Sequence, residues 1–251
     1  MNRSLTSALL AITLTLGCGG AAVAQAPNRT KAEVLKSSMA AYAAIQRRDY
    51  ATALTILREL AAQGDVWAQS SLGKLYYIGQ GVPQDYKEAA RLFGLAAAQG
   101  DADAQSNLGL IYRNGQGVAQ DYNEAVRLFG LSAAQGDASA QFNLGIMYSN
   151  GQGVPQDYKE AARLYRLAAE QGHAKAQGNL GIMYESGRGV AQDYVRAHMW
   201  YNLGASSFSG EEGKTATSNR DNIAERMTPS QIERAQDMAR KCQASNFKKC
   251  D

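Results

Sequence analysis

Histidine and cysteine are scarce in this chain, and their placement removes whole classes of chemistry. Two histidines, His173 and His198, and three cysteines, Cys18, Cys242 and Cys250, occur among 251 residues. The histidines are far apart and no cysteine stands beside either, so no zinc-ligand spacing is present. No block of basic residues stands out and the formal net charge is only +3, which argues against nucleic acid or an acidic membrane surface as partner. No Gly-x-Ser-x-Gly nucleophile elbow occurs. After residue 25 no stretch is long and apolar enough to span a membrane. The chain is 45% hydrophobic and 20% charged, the composition of one that buries a large core.

The first residues follow their own pattern. Arg3 supplies a positive start, Leu5 to Leu16 is apolar, and Ala22-Val23-Ala24 offers a small-residue cleavage site before Gln25. Residues 1–24 therefore read as a signal peptide and 25–30 as a short flexible leader, with a periplasmic or secreted destination. A second reading is a lipid anchor through Cys18, which follows Thr15-Leu16-Gly17; threonine stands where a lipoprotein box usually has leucine, which favours soluble export. In an oxidising compartment Cys242 and Cys250 read as a disulfide closing a short loop, against the alternative of two reduced thiols on a tail.

What fills the rest is repetition. Ser71-Leu-Gly-Lys-Leu-Tyr, Asn107-Leu-Gly-Leu-Ile-Tyr, Asn143-Leu-Gly-Ile-Met-Tyr and Asn179-Leu-Gly-Ile-Met-Tyr follow one another at a spacing of 36 residues. A second phrase, Gly-x-Gly-Val-x-x-Asp-Tyr, recurs from Gly79, Gly115, Gly151 and Gly187. A fixed period in this range marks stacked units. Within one unit, Asp65 caps a first helix from Val66 to about Ile78, and Gly79-Gln80-Gly81 stops it. Asp85 caps a second helix from Tyr86 to about Gln99, with Glu88 in the position of a capping box. Gly73, Gly109, Gly145 and Gly181 lie mid-helix, where glycine costs about 1 kcal/mol relative to alanine, so their recurrence implies close packing. The expected fold is an all-α solenoid of antiparallel helix pairs. Its units are a degenerate capping repeat at 31–64, four repeats at 65–100, 101–136, 137–172 and 173–208, and a C-terminal helical cap at 209–251. End units have one face toward water, so the first helix from about Lys31 is expected to be more polar.

These phrases resemble the Sel-one-like repeat family, a relative of the tetratricopeptide repeats. The likeness rests on Ala-x-x-x-Leu-Gly-x-x-Tyr from Ala68, Ala104, Ala140 and Ala176, on the glycine turn, and on Ala-Ala-x-Gln-Gly ending the second helices. It covers about residues 49 to 208. The ending, His198-Met-Trp-Tyr-Asn-Leu and Met227-Thr-Pro-Ser-Gln-Ile, is similar to bacterial members. The resemblance implies a right-handed superhelix and a scaffold that assembles or regulates envelope complexes through protein contacts. Some disulfide-rich relatives are assigned penicillin binding or β-lactamase activity; they carry cysteine pairs within the repeats, and this chain has none there. A cell-wall-directed enzyme such as a β-lactam hydrolase is thus the alternative.

The candidate binding residues lie on the first helices, which in such stacks usually line the concave face. Asn107, Asn143 and Asn179 form one line, and an asparagine amide can pair with both groups of a peptide bond. The competing reading is that they only stiffen the stack. Beside them, columns that change from copy to copy, Tyr77, Arg113, Ser149 and Glu185, and Ser70, Ser106, Phe142 and Gly178, read as free of packing demands and available to choose a protein or peptide partner. No cofactor, metal or catalytic residue is expected.

Overall fold

The computed structural model describes residues 30–207, 211–248 and 250. The signal-peptide and Cys18 readings lie outside the described residues. Twelve helices and no strand occur among them: α1 (Lys31–Gln46), α2 (Tyr50–Ala62), α3 (Val66–Ile78), α4 (Tyr86–Ala98), α5 (Ala102–Asn114), α6 (Tyr122–Ala134), α7 (Ala138–Asn150), α8 (Tyr158–Ala169), α9 (Ala174–Ser186), α10 (Tyr194–Ser207), α11 (Glu211–Ala224) and α12 (Pro229–Ala244). From α1 to α10 each helix packs against the next in chain order, and α10 also carries α11 and α12. The fold is an α-solenoid with a 36-residue step.

The same local chemistry sets every unit. Asp65, Asp101 and Asp137 accept the N–H of Ala68, Ala104 and Ala140 at 2.7, 2.7 and 2.6 Å, satisfying a donor the helix itself leaves orphaned. His173 stands in the fourth copy and accepts the Ala176 N–H through Nδ1 at 3.2 Å. Glycines in the left-handed conformation end the first helices. Gly117, at φ +71, brings its turn so close to the preceding unit that a Cβ would stand 2.5 Å from the Lys87 nitrogen. No other residue type fits both demands.

The second helices correct one expectation. Asp85, Asp121 and Asp157 do cap them, but Glu88 does not close a capping box. The Asp85 N–H is already donated to the Tyr76 carbonyl at 3.0 Å, so Glu88 turns to Arg91 instead and accepts two hydrogen bonds at 2.8 and 2.7 Å. Glu124 with Arg127 and Glu160 with Arg163 repeat the arrangement.

The core is a chain of linked clusters, each built across a step of the stack. Its regular feature is an aromatic ring laid on a glycine. Phe93, Phe129, Tyr165 and Tyr201 lie against Gly73, Gly109, Gly145 and Gly181, where a Cβ would come within 2.7–2.9 Å of ring carbons. Burial of these rings supplies much of the apolar driving force. At the other end Cys242 and Cys250 are brought to disulfide distance, their Cα atoms 4.4 Å apart.

The first helix exposes Lys31, Glu33, Lys36 and Gln46, and with them Leu35, Met39 and Tyr42, which are 62%, 65% and 56% exposed. α1 packs against α2, and its Leu35, Met39 and Tyr42 are left uncovered by the other described residues.

Candidate interaction surface

The structure gives each candidate residue a definite set of contacts. Asn107, half-buried, donates from Nδ2 to the Asp103 carbonyl at 2.7 Å. Asn143 is buried; its Nδ2 donates to the Ser139 carbonyl at 2.8 Å and its Oδ1 accepts from Arg113 at 2.6 Å. Asn179 and Ser149 both lie beside the buried Tyr165 hydroxyl. Tyr77 lies edge-on to Tyr86 and Phe93, and its hydroxyl donates to Gln116 at 3.2 Å. Glu185 accepts the Tyr201 hydroxyl at 2.6 Å; burial, with this carboxylate alongside, pushes the Tyr201 phenol far up. Phe142 stacks on His173 with ring centroids 4.6 Å apart.

The changing columns are therefore not free of packing demands. Ser70 and Ser106 are buried, and Ser70 donates to Asp101 of the next unit at 3.1 Å. Ring identity explains part of the variation. Where the ring is Phe93 or Phe129, the neighbouring column holds Tyr77 or Arg113; where it is Tyr165 or Tyr201, that column holds a polar residue beside the phenol, Ser149 or Glu185, and Glu185 accepts the Tyr201 hydroxyl.

Sequence reasoning missed the main polar connection. Gln69, Gln105, Gln141 and Gln177 are buried, and each donates to a carbonyl of the preceding second helix at 3.2–3.4 Å. Gln99, Gln135 and Gln171 then donate to Gln69, Gln105 and Gln141 at 2.9, 2.8 and 2.8 Å. The signal was there, as two glutamine columns 30 residues apart in three of the four copies. The ladder fails at its last rung: position 207 is serine, and Gln177 Oε1 has no partner among the described residues.

Two concavities open on the first-helix layer. The larger, about 740 Å³, lies between α1 and the start of α3 and is walled by Leu35, Met39, Tyr42 and Trp67. The smaller, about 280 Å³, lies between α7 and α9. Between α3 and α5 the same layer is closed by an ion pair, Lys74 to Asp103 at 2.8 Å. The expectation that the chain holds no Ser-x-x-Lys phrase is wrong, since Ser71 and Lys74 have that spacing; the lysine is turned to Asp103. Ser245 and Lys248 share the spacing on the tail. Among the described residues no group of three or more His, Cys, Asp or Glu side chains is placed to hold a metal, and no helix is long and apolar enough to cross a membrane.

The family model for the Sel1 repeat matches residues 68–101, 102–137, 138–173 and 174–207. The chain belongs to the Sel1 repeat family. Among solved structures it is similar to a Sel1 repeat protein from Oxalobacter formigenes, at 32% identity over 76% of this chain and 82% of that one, with a TM-score of 0.66. A Sel1 repeat protein from Klebsiella pneumoniae subsp. pneumoniae, 24% identical over 76% and 93% of the two chains with a TM-score of 0.51, shares the fold. No protein of curated function matches. The Sel1 fold commonly mediates contacts between proteins and is typically non-catalytic.

Proposed function

We propose that this Sel1 repeat chain is an exported scaffold that binds a protein partner on its first-helix layer and performs no chemistry itself. The observation that carries the reading is the bare apolar groove of Leu35, Met39, Tyr42 and Trp67. Soluble chains rarely leave such contiguous surface without a use. The occupant that fits is an apolar segment of a partner flanked by acidic residues. Lys31 lines the groove and Lys36, Arg47 and Arg48 belong to the same helix and its end, whereas of the acids Glu33 is taken by the Thr30 cap and Asp65, which also lines the groove, by the α3 cap. The signal-peptide pattern, and Cys242 and Cys250 read as a disulfide, support the exported setting.

The test is a photo-crosslinking residue placed at Leu35 or Met39 in the native envelope, with Lys87 on α4 as the control position. The expected result is one adduct from the groove positions alone, mapped to an apolar segment bordered by Asp or Glu, and lost when Leu35 and Met39 are both changed to Asp. Equal capture from Lys87, or no adduct from a folded protein, overturns the reading.

A further inference from the structure

The glycine turn at the pocket between α7 and α9 differs from the other three by one charge. The glycine turn reads Gly-Gln-Gly in three copies, at Gln80, Gln116 and Gln152, and Gly-Arg-Gly in the fourth, at Arg188. Arg188 is exposed, and its guanidinium sits 5.8 Å above the Tyr158 ring. No acidic side chain pairs with it among the described residues. Arg188 therefore stands at the mouth of a concavity of about 280 Å³ with no described acid compensating its charge and with an aromatic face steadying its position.

The rest of the pocket supplies two other kinds of contact. Ile146, Ile182 and Met183 are apolar, and Ile182 is 47% exposed. Asn150 and Asn179 add amides, and Asn179 lies beside the Tyr165 hydroxyl. A planar guanidinium offers paired donors that match a carboxylate, and a charge-assisted pair of this kind is stronger than a neutral one. Amides beside it match a peptide group, and the isoleucines match an aliphatic side chain.

We propose that this pocket is a carboxylate-binding subsite, in which Arg188 takes a partner's carboxylate, Asn150 and Asn179 its adjoining amide, and Ile146 and Ile182 an aliphatic side chain next to it. The carboxylate comes from a chain end or from an acidic side chain, and the probes below separate the two. The inference rests on the reading that the first-helix layer faces the partner.

The experiment is amide and arginine side-chain NMR on the isotope-labelled chain, titrated with three small probes. N-acetyl-leucine presents a terminal carboxylate, N-acetyl-leucinamide removes the charge, and N-acetyl-aspartate N-methylamide moves it to a side chain. The expected result is saturable shifts at Arg188 Nε and Asn179 with one of the two acids, and about tenfold weaker binding of the leucinamide, equivalent to about 1.4 kcal/mol. R188Q, which installs the residue of the other three turns and so keeps the fold, brings the favoured acid down to the amide's level. Equal binding of acid and amide, unchanged binding by R188Q, or no shift with any probe overturns the proposal. If that happens while the groove still crosslinks through Leu35 and Met39, the subsite falls and the scaffold reading stands.

Discussion

Gly145 lies directly beneath Tyr165: a Cβ added to the glycine would stand 2.8 Å from the tyrosine Cε1 and 3.4 Å from the Ala161 carbonyl oxygen. Helix α7 can approach α8 this closely only because position 145 has no side chain. The same chain offers an internal control. Gly94 and Gly130 sit inside α4 and α6 with nothing within 4 Å of an added Cβ. Gly145→Ala is expected to destabilise by about 1–3 kcal/mol through overpacking. Gly94→Ala is expected to stabilise by about 0.5–1 kcal/mol through helix propensity. Urea unfolding of the two variants checks the opposite signs, and equal signs would refute the packing account.

The incomplete rung of the glutamine ladder gives a gain-of-stability prediction. Ser207→Gln supplies the amide that Gln99, Gln135 and Gln171 supply elsewhere, and Gln177 Oε1 has none. A satisfied buried acceptor contributes about 1 kcal/mol. The unfolding midpoint should rise accordingly, with unchanged helical content by circular dichroism.

His173 makes the fourth unit sensitive to acid. Burial lowers its pKa from the ordinary value, so the folded state holds the ring neutral, and only a neutral ring keeps the Nδ1 lone pair that accepts the Ala176 N–H. The unfolded chain takes the proton first as pH falls. Stability is thus full above the ordinary histidine value and is lost as pH falls from it toward the lowered folded-state value, a loss read by comparing about pH 7 with about pH 5. His198 acts in the same direction, its pKa lowered by burial and then by Arg220. His173→Asp, which restores the cap of the other units, should leave a shallower slope carried by His198. Denaturation at the two pH values measures it; an unaltered slope would exclude His173 as a source.

The C-terminal cysteines yield a covalent test. If Cys242 and Cys250 are joined, the closed loop of eight-residue separation is worth about 2–3 kcal/mol by chain entropy. Cys250→Ser should then lower stability by that order, and reductant should do the same to the unaltered protein only. Intact mass under non-reducing conditions reads the bond directly.

Most of the architecture was legible because it repeats. One helix pair read correctly implies its copies, and the mid-helix glycines pointed to close packing before any ring was placed on them. The aromatic partners were not legible, since Phe93 and Tyr165 look like ordinary core residues until their glycines are known. The glutamines were passed over because a polar residue on a helix reads as solvated, whereas Gln69 and its successors are buried and bonded across units. The columns beside the asparagines misled for the same reason in reverse. They vary because Arg113 and Glu185 answer different neighbours, Asn143 and Tyr201, and not because they are unconstrained. Pattern alone could not show that α1 leaves Leu35 and Met39 uncovered, since it cannot tell which helix lies next to which.

The linked glutamines make the number of units an adjustable quantity. Each buried first-helix glutamine joins its unit only to the one before it, Gln105 to the Ala97 carbonyl and Gln141 to the Ala133 carbonyl, so excising residues 101–136 would set Gln141 where Gln105 had been, facing Ala97. The molecule can be shortened or extended by whole cassettes without re-registering any seam, and the distance between its apolar mouth and its C-terminal end becomes a length that evolution, or an engineer, sets in increments of one step.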